Sequence, residues 1–236
     1  MRRRALYSSM SILDYIKQNS ILFLDFKSLA DGTVSTWPSL STNYSYSALL
    51  NTATAPTKSS SGVYFNGSQV LKVTSLNLTI LSQYTVFVVH KLIAPTGTIR
   101  SVIDHQYFGG AANGWLIYCP STASQYFIEQ NKAPAAGYYG DSTLFTPLIG
   151  TNVVTEFNIK APEVLADMKV NGISPVGIFG SGNWAQPSAN HFFIGGRNGN
   201  VLPFLGEILA VIILPLQTDT IKASLSTYLK TYYGIA

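Results

Sequence analysis

Residues 206–214 read GEILAVIIL, and they constrain this chain more than any other stretch. After Glu207 only apolar residues remain, so the alternation of a half-exposed strand is lost and a strand buried on both faces is expected over 208–214. Phe192 to Gly195 ends another buried strand just upstream, and Gly195-Gly196-Arg197-Asn198-Gly199-Asn200 forms a glycine-rich loop between the two. A helix follows. Ile221, Leu225, Tyr228, Leu229 and Tyr232 fall on one helical stripe, with Asp219 at its start, Lys230 near its end and Gly234 just beyond.

Upstream, the pattern is of short strands between turns. Residues 21–26, 62–65, 69–73, 84–92, 99–104, 114–118, 125–129, 151–159, 168–170 and 192–194 are rich in Val, Ile, Phe and Tyr, and Gly, Pro, Asn and Ser bound them. Asn66-Gly67 and Asn171-Gly172 are the strongest hairpin signals, because a type I′ turn needs positive φ at both central residues. No linker divides the chain, so residues 21–236 form one domain. Residues 1–20 stand apart: Ser11 caps a short helix whose Ile12, Leu13, Tyr15 and Ile16 give a rough apolar face. Two readings stand for this segment, an arm that docks on another subunit or a helix folded back on its own sandwich.

Several motifs occur in a telling order. They are Trp37-Pro38-Ser39-Leu40-Ser41, Phe65-Asn66-Gly67-Ser68, the strand from Tyr84 to Val89, and Val170-Asn171-Gly172. At the end come Ile194-Gly195-Gly196, Gly206-Glu207, Tyr228-Leu229 and Tyr233-Gly234. Together they resemble the concanavalin A-like lectin/glucanase superfamily, specifically its laminin-G-like branch, over about residues 20–236. Ser39 stands where that family usually carries an acid. The resemblance implies an all-β fold, a two-sheet antiparallel jelly-roll sandwich with a short N-terminal helical arm and a C-terminal helix on its outside.

Composition narrows the function. Only 11% of residues are charged, against roughly 25% in an ordinary soluble domain. A surface so poor in charge is weakly protected against association, which fits either a subunit covered by partners or a secreted Ser/Thr-rich β-protein. The formal net charge of +4 misleads, since Arg2, Arg3 and Arg4 supply three of the 15 basic residues against 11 acids. The body has no basic face, so nucleic-acid binding is not expected. Cys119 is the only cysteine, which excludes an intramolecular disulfide. No secretion signal is expected, because Ser8, Ser9, Ser11, Asp14, Lys17 and Gln18 interrupt any apolar core after the arginines. The apolar runs are too short to span a bilayer, so no membrane insertion is expected.

The superfamily includes glycoside hydrolases, whose chemistry needs two carboxylates flanking the scissile bond. No pair of acids here sits at the i, i+2 spacing of one strand face; Glu163 and Asp167 come nearest, on a connection. His90, His105 and His191 are scattered away from zinc-ligand spacing, and Asp31, Asp104 and Asp141 are too isolated to gather calcium. No enzyme, metal or cofactor is expected. Sugar recognition stays open, because aromatic rings beside Gly/Asn/Ser-rich loops can stack on a pyranose. Tyr107, Trp115, Tyr138, Tyr139 and Trp184 are the candidates. The expectation is a non-catalytic recognition module of a larger assembly. A virion decoration (capsid, head-fibre or tail) comes first, since Met1-Arg2-Arg3-Arg4 is similar to starts common in phages of gut bacteria. Its partners would be other structural subunits, met through residues 1–20 and the low-charge surface, and a host polysaccharide. The alternatives are a free or cell-surface carbohydrate-binding lectin, placed outside the cell, and then a glycoside hydrolase.

Overall fold

A computed structural model describes residues 10–76, 78, 81, 83–93, 100–106, 114–119, 127–132, 135–139, 149–160, 168–174, 191–197 and 202–236. Helix α1 (Ile12–Asn19) precedes strands β1 (Leu22–Asp25), β2 (Gly32–Thr33), β3 (Thr36–Pro38), β4 (Ser47–Leu50), β5 (Thr57–Ser59), β6 (Gly62–Asn66) and β7 (Leu71–Thr74). Then come β8 (Gln83–Leu92), β9 (Arg100–Gln106), β10 (Gly114–Cys119), β11 (Phe127–Lys132), β12 (Ala135–Tyr139), β13 (Val153–Lys160), β14 (Lys169–Val170), β15 (His191–Ile194), β16 (Leu205–Pro215) and helix α2 (Asp219–Tyr233). Two antiparallel sheets result, as the motifs imply. Sheet 1 runs β14-β13-β8-β16-β6-β5-β2, with β1 also on β16, and sheet 2 runs β12-β11-β10-β9-β15-β7-β4-β3.

Strand β16 anchors sheet 1. One edge pairs with β8 along its length, across a register shift between Ile208 and Ala210. The other edge is shared, β6 taking residues 205–208 and β1 taking 210–213. Every residue from Gly206 to Leu214 is buried, as the loss of alternation requires. Both helices pack on this sheet, α1 against β16 and α2 against β13.

Two glycines explain why the closing motif reads as it does. A Cβ on Gly195 would lie 2.2 Å from the Phe65 ring, and its φ of +80° is unfavourable for any L side chain. A Cβ on Gly206 would lie 2.1 Å from the Lys91 carbonyl oxygen and 2.7 Å from the Phe204 ring.

The two Asn/Gly turns differ. Asn171 and Gly172 both have positive φ, with Val170 bridged to Ile173, so this is the expected hairpin. Asn66-Gly67 is not a hairpin: β6 belongs to sheet 1 and β7 to sheet 2. Only Gly67 has positive φ, and Asn66 Oδ1 accepts from the Ser68 amide and hydroxyl. The Gly195-Gly196 loop likewise carries the chain from β15 in sheet 2 to β16 in sheet 1 and does not close a hairpin.

Among the described part of the N-terminal segment, the folded-back reading is the one observed. Ser11 caps α1 by accepting from the Asp14 amide, Ile16 is fully buried, and the Tyr15 hydroxyl donates to Gln217 Oε1 at 2.7 Å. The small apolar face of α1 is covered by sheet 1; residues 1–9 lie outside the described residues. Helix α2 starts where expected, with Thr218 as N-cap, and stops at Gly234 in the left-handed region. Its end is tied to β1: buried Asp25 accepts from the Tyr232 and Tyr233 hydroxyls at 3.1 and 3.0 Å.

Gly195→Ala is expected to lower folding stability by about 2–4 kcal/mol, combining positive-φ strain with overpacking against Phe65. Urea denaturation of the two proteins checks it, and a change inside error would show that the loop relaxes freely.

Candidate recognition face

The strand register of sheet 2 draws one continuous line across eight strands. Thr36 pairs with Leu49, Leu49 with Lys72, Lys72 with Phe193, and Phe193 with Asp104. Asp104 then pairs with Leu116, Leu116 with Glu129, and Glu129 with Tyr138. The alternate positions (Trp37, Ala48, Val73, Phe192, Ile103, Trp115 and Ile117) are buried in the core between the sheets. The stretch of the line from Thr36 to Asp104 therefore belongs to the opposite face, since successive strand residues point to opposite sides.

That face is open at one end and closed in the middle. Thr36 is exposed and Leu49 is 42% exposed, while Phe193 and Asp104 are buried. Lys72 Nζ sits 5.7 Å from the centre of the Phe193 ring. Arg197, in the bend after β15, donates from Nε to Asp104 Oδ2 at 2.6 Å. Pairing with a buried carboxylate holds the planar guanidinium in one orientation.

Of the five aromatic candidates, Trp115 is placed elsewhere. Its residue is fully buried, and its Nε1 donates to the Tyr84 hydroxyl at 2.6 Å across the gap between sheets. Phe157, Phe192 and His105 surround its ring at 5.1–6.0 Å. It is a core residue and offers no platform to a sugar, because its strand register turns it inward. Tyr138 lies on the register line just described. Tyr139 lies on the neighbouring line with Ile128 and Ile117. Tyr107 and Trp184 lie outside the described residues.

Ser39, where an acid is usual, has a local task. Its Oγ accepts from the amides of Phe23 and Ser41 at 3.0 and 3.2 Å, holding β1 against the turn after β3.

The described buried carboxylates are each matched to a cation or hydroxyl. Asp104 meets Arg197, Glu156 meets Lys169 at 3.8 Å, and Glu207 meets Lys91 at 3.3 Å and the Ser61 hydroxyl at 2.6 Å. Among the described residues no three His, Cys, Asp or Glu residues gather as a metal site. No described helix is long and apolar enough to cross a membrane.

Burial dominates the titration of the core. It raises Tyr84 well above the usual phenol range, against the opposing hydrogen bond from Trp115. Burial also raises Tyr232 to about 12, with the Asp25 charge and hydrogen bond acting the same way. His90, on β8 between Val153 and Ile208, is lowered to about 4 by burial, partly offset by a hydrogen bond to the Val88 backbone.

No protein-family model matches the chain, and no curated protein matches its sequence. Solved structures do match. The Trypanosoma rangeli sialidase in complex with sialic acid superposes with a TM-score of 0.61 at 14% identity, covering 88% of this chain and 32% of that one. The botulinum neurotoxin serotype G binding domain gives 0.56 at 10% identity, covering 92% and 51%. The CBM40 of the Ruminococcus gnavus IT-sialidase gives 0.50 at 14% identity, covering 63% and 85%. The chain spans about a third of the length of the sialidase it matches. At these identities the likeness establishes the fold, a β-sandwich of two antiparallel sheets.

Two measurements test the core chemistry. Trp115→Phe leaves the buried Tyr84 hydroxyl without its donor and is expected to cost about 1–3 kcal/mol in addition to lost packing. Much of the added cost disappears when Tyr84→Phe is combined with it, read as a coupling energy in a double-mutant cycle. For His90, the unfolded chain takes up a proton near 6.5 and the folded chain near 4. Its contribution is therefore fully present above pH 6.5 and is lost as the pH falls toward 4, to an extent of about 3 kcal/mol. The His90→Gln variant should show a flatter stability profile than the parent across that window; parallel profiles would refute the assignment.

Proposed function

We propose that this chain is a non-catalytic, carbohydrate-recognising β-sandwich module that works as a component of a larger assembly, foremost a virion decoration. The observation that carries the recognition half is the register line of sheet 2. It joins an exposed apolar position at Leu49, the Lys72–Phe193 contact and the Asp104–Arg197 pair, and the same backbone register runs on to Tyr138. An exposed aliphatic position beside charged side chains held in place suits a pyranose, with its one apolar side and rim of hydroxyls. The likeness to a CBM40 and to a neurotoxin binding domain supports the same reading. Carboxylates held singly by cations support recognition over glycosidic cleavage, which needs a facing pair.

The assembly half is supported by composition, a surface with few charges to resist contact. One observation favours a second reading, a free or cell-surface lectin outside the cell. Helix α1 spends its buried side chain on its own sandwich and does not hold it for a neighbour.

A microarray of bacterial capsular and O-antigen polysaccharides tests the recognition half. The folded chain is expected to bind a subset, and Tyr138→Ala should weaken that binding about tenfold, or 1.4 kcal/mol. The bound polysaccharides should release no reducing sugar. An array on which the folded chain binds nothing, or sugar release from any polysaccharide, would overturn the reading. The native mass in solution then separates an assembled particle from a monomeric lectin.

A further inference from the structure

Glu207 is the only charged residue in β16, an otherwise apolar strand. Its partner Lys91 is its register neighbour on β8, on the face of sheet 1 away from the core. A half-buried pair of this kind gives little net stability relative to apolar residues of similar volume, because both charges lose water. Sheet stability alone therefore gives the pair no reason to be there, and its surroundings supply one.

The Glu207–Lys91 pair lines a cavity of about 220 Å³ between sheet 1, the β5–β6 turn and the end of α2. Ser61 and Asn152 add hydroxyl and amide groups, Leu209 and Phe26 add apolar surface, and Lys27 lies where α2 ends. Lys27 Nζ donates to the Tyr232 carbonyl at 2.6 Å. Asn152 Oδ1 is shielded from solvent and receives no hydrogen bond from a described residue.

Charge and size narrow the ligand. Two lysines face one glutamate, and the carbonyl end of α2 adds partial negative charge, with Asp25 behind the tyrosines. The lining is thus close to neutral, yet it offers both donors and acceptors. The volume lies below the roughly 300–1,000 Å³ of sites for drug-sized ligands, so one ring fits and a chain of rings does not.

We infer that this cavity binds a neutral, monosaccharide-sized polyol, with Glu207 and Asn152 taking its hydroxyl protons, Lys91 and Ser61 meeting its oxygens, and Leu209 and Phe26 covering its apolar side. The site is on the opposite sheet from the recognition face and does not depend on it.

Saturation-transfer NMR with methyl α-glucoside, methyl α-mannoside, methyl β-galactoside and, as the acidic arm, glucuronate tests the assignment. At least one neutral glycoside should bind saturably, with glucuronate weaker. Asn152→Ala and Glu207→Gln should each raise its dissociation constant at least tenfold, while Gln83→Ala, exposed at the far end of β8, leaves it unchanged. If Glu207→Gln fails to fold, Asn152→Ala carries the test. The proposal is overturned if no neutral glycoside binds the folded parent, if glucuronate binds more tightly, or if Asn152→Ala has no effect. Polysaccharide binding that is lost in Tyr138→Ala but kept in Asn152→Ala belongs to the other face, so the two ideas fail separately.

Discussion

The structure depends on burying one strand completely. β16 has neighbours on both edges and cover on both faces, so none of its amides can look to water and each must be paired by another strand. That requirement fixes the layout. β8 must run its full length, β1 and β6 must divide the far edge, and the two helices must lie on the side away from the second sheet. The glycines that lead into it follow from the same demand, since Phe65, Phe204 and the Lys91 carbonyl already occupy the space where a side chain would stand.

The second sheet is joined to this frame through aromatic packing and directional contacts that include Trp115 to Tyr84 and the Phe23 amide to Ser39 Oγ. Burying two polar aromatic groups is tolerable because each satisfies the other. The effect is positional. With Trp37 and Phe192 turned inward, the neighbouring positions of their strands are set on the opposite side, and they form the line from Thr36 to Asp104. Recognition on this face and packing beneath it are two readings of one register.

Much of this was legible in the sequence, and the gaps have physical causes. Long apolar strands such as β8, β13 and β16 announce themselves, and α2 shows its stripe and both ends. Strands β2, β3, β4 and β5 escaped notice because each has only two to four residues, as in Thr36–Pro38 and Thr57–Ser59, too few to display a period. β12 is AAGYY, and alanine and glycine are poor strand markers. Asn66-Gly67 shows in sequence as a turn, whereas the change of sheet it makes does not, because where a strand goes after a turn is decided by tertiary packing. Trp115 misled for a related reason. Gly114 beside it looks like a loop, and Trp115, Leu116, Ile117 and Tyr118 are all apolar or aromatic, so sequence cannot say which pair faces inward. The cavity at Glu207 did leave a signal, a lone acid in an apolar strand, but its significance lies in Asn152 and Ser61, which are distant in the chain.

The clasp at Asp25 has a kinetic side. Its tyrosine partners lie 207 and 208 residues further along the chain, and β1 finds its strand neighbour only in β16. An emerging polypeptide must therefore hold β1 in waiting until β16 has left the ribosome. Closure over such distances is slow, and during the delay the apolar residues Leu22, Phe23 and Leu24 are open to stray partners. For this protein, biosynthesis itself is the exposed interval, and a chaperone that covers the first strand would guard the step on which the whole architecture waits.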